Sequence, residues 1–192
     1  QPYYSVGENW DRNATNLKNW IDGTYAGGIN SSTTVSGAFD FSTYYALSGA
    51  LKTNNFTNLK NSFTGAMNGL AGQIGYAEKA VTFVDNHDTF VKTEAILGNN
   101  IPKAYAYILT HPGIPCVFAP HYYGGSYTKD GVPITYSNYS TIINKLMIAR
   151  KTAGIDAWSS VTIDQSVVGL YAAYIKKRNS DTDPVIAMKI GS

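Results

Sequence analysis

Residues 81–90 read VTFVDNHDTF, an apolar run that ends in Asp85, Asn86, His87 and Asp88. Two carboxylates, an amide and an imidazole on successive positions can move protons, grip hydroxyl groups, stabilise developing charge or ligate a metal. A turn at a strand end needs only one Asx residue and a glycine. Charge gathered at one strand end costs free energy unless it is paired or used. Asp88-Thr89 can begin a helix, which accounts for one acid and leaves Asp85 and His87 without a need. A further acid, Glu8, closes the β-prone run YYSVGE (3–8), with Gly7 before it and Trp10 just after. No capping geometry explains Glu8, and its surroundings read as the mouth of a pocket.

These residues need elements to hold them, and the chain alternates strand and helix. The strand candidates are 3–8, VSGAFDF (35–41), AVTFVDNHD (80–88) and IPCVFAPHYY (114–123). Helical spacing follows each: NATNLKNWID (13–22), TYYALSGALK behind a capping Ser42, PKAYAYILTH (102–111) with Pro102 in its first turn, and YSTIINKLMIARKTAG (139–154). NLKNSFTGAMNGL (58–70) reads as further helix. Four βα units imply a parallel sheet, and the apolar strands AVTFV and IPCVF fit one buried on both faces. After Gly154 the period changes: VTIDQ, VVGLYAAYIKKR and DPVIAMKIG read as strands without helices. The expected organisation is an α/β unit over 1–155 and a small antiparallel β-domain over 156–192 that stops early, with the boundary near Ile155–Ser159.

In parallel α/β architectures the chemistry gathers at the carboxyl ends of the strands. Glu8, Asp40, the 85–88 cluster and His121 fall there. Asp40 precedes a helix start and reads as a cap. His111 lies in the turn entering the fourth strand, at the opposite end, and reads as structural. Cys116 is the chain's single cysteine, so no internal disulfide forms, and its apolar setting IPCVF predicts a buried, inert thiol.

The motif VTFVDNHD closely resembles the seventh-strand signature of the α-amylase family of glycoside hydrolases. SVGENWD is similar to that family's fifth-strand motif, GAFDF to its sixth strand, and YAYILTHPGIPCVF to its seventh helix and eighth strand, nearest the plant and related bacterial α-amylases. The motifs occur in the family's order, and the resemblance covers essentially the whole chain. It implies the second half of a (β/α)8 barrel, strands five to eight, followed by the start of the family's C-terminal β-domain. It implies retaining endo-hydrolysis of α-1,4-glucosidic bonds in starch-like glucans, with Glu8 as general acid/base and Asp88 as the third acid, which grips sugar hydroxyls and stabilises the transition state. His87 matches the histidine that binds the sugar in the cleavage subsite, and Trp10 is a candidate stacking platform. Burial beside other acids would keep Glu8 protonated near neutral pH.

The family's nucleophile, an aspartate in a fourth-strand motif, is absent, as are its first- and third-strand motifs. The chain therefore reads as starting at strand five, with nucleophile and most calcium ligands upstream, so no residue is nominated as a metal ligand. A complementary N-terminal half, from the same parent chain or as a separate fragment, is the expected partner, and the chain alone is expected to be inactive. The opening QPYYSVGENW has neither an initiator Met nor a leader, and reads as a mature product or a piece of something longer. A secreted location follows from the resemblance, and the 13% aromatic content leans the same way. A formal charge of +2, with no Lys/Arg run beyond Lys176-Lys177-Arg178, argues against nucleic acid, and no stretch approaches a membrane span. Two rivals stand beside this reading. One is a non-catalytic starch- or glucan-binding barrel, against which the joint presence of Glu8, His87 and Asp88 argues. The other is a metallophosphoesterase, which needs further acidic motifs such as Gly-Asp-x-x-Asp that are missing here.

Overall fold

The computed structural model describes residues 4–23, 36–178 and 184–191. Strands β1 (Val6–Gly7), β2 (Gly37–Phe39), β3 (Ala80–Phe83) and β4 (Ile114–Cys116) form a parallel sheet in chain order. Its register sets Gly7 beside Ala38, Phe39 beside Val81 and Phe83 beside Cys116. All four strands therefore end at one edge, where Glu8, Asp40 and Asp85–Asp88 follow. Every residue of β3 is buried, so a continuous apolar run is what this position selects. The outer strands β1 and β4 each pair on one side only among the described residues, and their positions are largely exposed.

Helix α1 (Ala14–Ile21) starts at Asn13, whose side chain accepts from Thr15 N–H, and buries Ala14, Leu17 and Ile21. Helix α2 (Phe41–Thr53) starts at Asp40 and stops at Asn54, which adopts the left-handed conformation. Helix α3 (Asn100–Thr110) ends before Pro112, and α5 (Ser140–Ala153) ends at Gly154 with φ of 66°. Arg150 of α5 donates to the carbonyls of Leu109, His111 and Gly113 at 3.2, 2.7 and 2.9 Å, supplying the end of α3 with cationic donors.

Three sequence expectations are corrected here. Residues 58–70 are not a helix but a string of turns flanked by short 3-10 segments. Asn61 Oδ1 accepts from the N–H groups of Phe63 and Thr64 at 2.9 and 3.0 Å, while Gly65 and Gly69 take positive φ. The local side-chain bonds outcompete helix formation. The fourth strand stops at Cys116, and Pro120 opens a short helix, α4 (Ala119–Tyr123), which carries His121 into the core. Cys116 is exposed rather than buried, because β4 is an outer strand with an uncovered face. A hairpin that the sequence reading omitted, β5 (Gly125–Lys129) and β6 (Val132–Tyr136), follows α4. Asp130 and Gly131 form its turn at φ of 52° and 78°, both left-handed as a type I′ turn requires.

Strands β7 (Ser160–Val167), β8 (Leu170–Lys176) and β9 (Ile186–Gly191) form a second antiparallel sheet. Its inward residues Ile163, Tyr171, Ile175 and Ile190 join one apolar core with Leu17, Leu47, Ile101 and Ile108. His111 is fully buried at that junction, and its Nε2 lies 2.8 Å from the Tyr171 hydroxyl. This agrees with the structural role read from the sequence.

Candidate active site

The turn after β3 is built by Asn86. Its side-chain oxygen accepts from the N–H groups of Asp88 and Thr89 at 2.9 and 2.8 Å, and its own N–H donates to Thr89 Oγ1 at 2.8 Å. Asp85 anchors the turn from beneath. It is buried, with Oδ1 accepting from Thr89 Oγ1 at 2.8 Å and from the Tyr44 hydroxyl at 3.3 Å, and Oδ2 from Ile96 N–H at 3.0 Å. Burial raises its pKa to about 7 against the hydrogen bonds that lower it. Asp85 thus has a need that the sequence left open: it holds the loop from which His87 and Asp88 project.

Behind Asp85 stands His121, fully buried, with Nε2 3.9 Å from Asp85 Oδ2. The Tyr105 hydroxyl accepts from Phe118 N–H at 3.1 Å and lies 3.1 Å from His121 Nδ1. Its hydrogen is free for Nδ1, which puts the imidazole proton on Nε2. Burial lowers the His121 pKa to about 3, so between about pH 3 and about pH 7 this is a neutral acid beside a neutral imidazole. His121 supports the site from within the core and is not presented at its surface.

His87 and Asp88 face outward. His87 Nε2 lies 3.3 Å from Asp88 Oδ2, and the side chains are 79% and 36% exposed. Asp88 Oδ1 accepts from Lys129 Nζ, which also donates to the His87 carbonyl at 2.7 Å. The Lys129 hydrogen bond holds the Asp88 carboxyl below its ordinary range. Glu8 is exposed just past β1. Its Oε1 accepts from Asn86 Nδ2 at 3.3 Å and its Oε2 from Trp10 Nε1 at 3.2 Å. Trp10 stacks on Phe41, with ring centroids 4.7 Å apart and planes at 27°, and remains 42% exposed. One indole face is therefore occupied by protein. Glu8, Trp10, His87 and Asp88 lie at the same sheet end, linked through Asn86, while His111 precedes β4 at the other end.

Asp40 is fully buried and accepts five hydrogen bonds, from Ser42, Thr43 (twice), Leu70 and Ala71. It is a cap and an anchor. The sequence reading missed Asn86 as the link to Glu8, and it missed Lys129. The Asp-Gly pair after Lys129 was the available signal, since it marks a hairpin that can return to the site. Among the described residues no three His, Cys, Asp or Glu side chains are grouped to hold a metal ion. The described side chains do not form a calcium cage.

No protein-family model matches the chain. It is 33% identical over 209 aligned residues, all of this chain, to "Probable alpha-amylase 2" of Arabidopsis thaliana, and covers 43% of that protein. It is 30% identical over 213 residues to "Alpha-amylase 3, chloroplastic" of the same plant, covering 20% of it. The chain thus spans less than half the length of either relative. Among solved structures, γ-CGTase from the alkalophilic Bacillus clarkii matches 92% of this chain and 26% of its own, with a TM-score of 0.56 at 18% identity. The α-amylase from Geobacillus thermoleovorans, solved with acarbose, matches 92% and 40%, with a TM-score of 0.53 at 21% identity. The structural matches establish a shared fold, in which this chain supplies a parallel βα run and antiparallel sheets. With relatives of that name aligned along its whole length and the same backbone arrangement, the chain belongs to the α-amylase family.

Proposed function

We propose that this chain is the strand-five-to-eight half of an α-amylase barrel, residues 1–155, followed by the start of its β-domain, residues 156–192. In the whole protein it serves retaining endo-hydrolysis of α-1,4-glucosidic bonds in starch-like glucans. The observation that carries this reading is the convergence of Glu8 and the Asn-His-Asp turn at the carboxyl ends of parallel strands, joined by the Asn86–Glu8 contact. A non-catalytic glucan-binding barrel has no need for an acid on each of two strands.

In this assignment Glu8 protonates the glycosidic oxygen as the bond breaks, then takes a proton from the water that releases the sugar from the nucleophile. Asp88 holds sugar hydroxyls and stabilises the oxocarbenium-like charge, and His87, exposed beside it, adds a hydrogen bond to the same sugar. The free face of Trp10 is offered to a neighbouring glucose. Glu8 is exposed in this chain rather than buried beside other acids, and in the whole protein bound glucan and the rest of the barrel cover it. Residues upstream supply the nucleophile and any calcium ligands. A complementary N-terminal half, in the same parent chain or as a separate fragment, packs against the one-sided strands β1 and β4. A secreted location belongs to the same reading, and fractionating a producing culture tests it.

In the full-length protein, Glu8→Gln and Asp88→Asn are each expected to cut starch hydrolysis by about 10²–10⁴-fold with the far-UV spectrum unchanged. His87→Ala removes hydrogen bonds rather than the proton donor or the fixed charge, and should be milder. Either acid variant keeping more than about a tenth of wild-type turnover would sink its assignment.

A further inference from the structure

Asp88 has a partner that the acidic motif does not provide. Lys129 ends β5, on the hairpin after α4, and its ammonium donates both to Asp88 Oδ1 and to the His87 carbonyl, the latter at 2.7 Å. The hairpin is well held. Five residue pairs from Gly125↔Tyr136 to Lys129↔Val132 close on the Asp130-Gly131 turn, Tyr136 is buried, and the Tyr127 hydroxyl donates to Gly124 O at 2.9 Å. Lys129 is only 26% exposed at its side chain. A fixed element thus delivers one cation to the carboxylate and to the peptide just before it.

We propose that Lys129 is a positioning residue for Asp88: by bridging the carboxylate and the His87 carbonyl it fixes the shape of the Asn-His-Asp turn and the direction in which Asp88 presents its second oxygen. This rests on the reading of Asp88 as a group that acts on the sugar. Lysine suits the task, because three donors on a compact ammonium can serve two acceptors at once. An ammonium beside a site of developing positive charge opposes the reaction when it stands alone. Paired with Asp88 its field is largely cancelled, so its benefit depends on that carboxylate. The groups facing Asp88 are His87, Lys92 and Lys129, and Lys129 has the largest effect on it.

The test is turnover of maltooligosaccharides by the full-length protein as Lys129→Ala, Lys129→Arg, Asp88→Asn and the double variant Lys129→Ala/Asp88→Asn. Misplacing Asp88 by a fraction of an ångström should lower kcat of Lys129→Ala by about 10–100-fold with KM little changed. Added methylammonium should restore part of the loss, and Lys129→Arg should keep more activity than Lys129→Ala. On the Asp88→Asn background, removing Lys129 should cost nothing further. Wild-type kcat in Lys129→Ala, or an equal further loss in the double variant, overturns the inference while an inactive Asp88→Asn leaves the proposed function standing. Wild-type turnover in Asp88→Asn overturns both.

Discussion

His111 links stability to pH through a single proton. It is fully buried against Tyr107 and Tyr171, and burial lowers its pKa from an ordinary 6.5 to about 3, with Arg150 nearby acting in the same sense. The unfolded chain takes up that proton near pH 6.5 and the folded chain does not. The stabilisation is therefore complete above about pH 6.5 and is lost as pH falls toward 3. Two other buried groups act over much of this window. Asp85, raised to about 7, makes the folded state bind a proton that the unfolded state has released, whereas His121, lowered to about 3, does the reverse. Between about pH 4 and 6.5 these two offset each other, which leaves His111 as the uncompensated proton of the three. Urea unfolding of the full-length protein should show His111→Gln shrinking the loss of stability between pH 6.5 and 4.5 by about 1 kcal/mol per pH unit. An unchanged slope in that variant would remove His111 from this role.

At the scale of elements, Asp40 shows how one carboxylate can hold two segments. Oδ1 accepts from Thr43 N–H at 2.8 Å and Leu70 N–H at 3.1 Å, and Oδ2 from Ala71 N–H at 2.9 Å. The start of α2 is thereby tied to the 3-10 turn at Leu70–Gly72. Gly69, at φ of 105°, lets that turn approach, since a Cβ there would overlap Thr43. Asp40→Ala leaves the buried N–H groups of Thr43 and Ala71 without their acceptor, while Leu70 N–H keeps Ser42 Oγ at 3.0 Å, so at about 1 kcal/mol or more each a loss of about 2 kcal/mol is expected in urea titration. A loss under about 1 kcal/mol would show that water replaces the carboxylate. Asp40 was legible in the sequence as a cap because that function is local. Its bonds to Leu70 and Ala71 were not, because they join residues some thirty positions apart. The same division explains α4 and the 58–70 turns: Pro120 and the Asn/Gly pattern were visible, but the apolar letters between them suggested longer regular elements.

For the whole molecule, the outer strands decide the expected behaviour. Val6 of β1 and Ile114 of β4 are 36% and 37% exposed, and each strand has one unpaired edge among the described residues. Such edges invite pairing with another chain, and covering apolar surface gains about 25 cal/mol per Å². Residues 1–192 expressed alone are therefore expected to self-associate on size-exclusion chromatography and to leave maltooligosaccharides intact. Adding the complementary half should yield a defined complex with turnover. A monodisperse monomer of 1–192 that hydrolyses the substrate would overturn the two-half reading.

The sequence by itself determined the βα order, the parallel sheet and the placing of Glu8, Asp40 and the 85–88 acids at strand ends. Strand period, apolar runs and punctuation are local properties, and a parallel sheet sends every strand end to one edge. The family motifs were legible for the same reason, since each lies within a few successive residues. Only the tertiary structure decided what the acids touch. It made Asp85 a buried anchor beside His121, linked Asn86 to Glu8, set Trp10 on Phe41 and brought Lys129 to Asp88. Those pairings depend on the register of the sheet and on a hairpin returning across it, and close packing fixes them in ways that no spacing along the chain records.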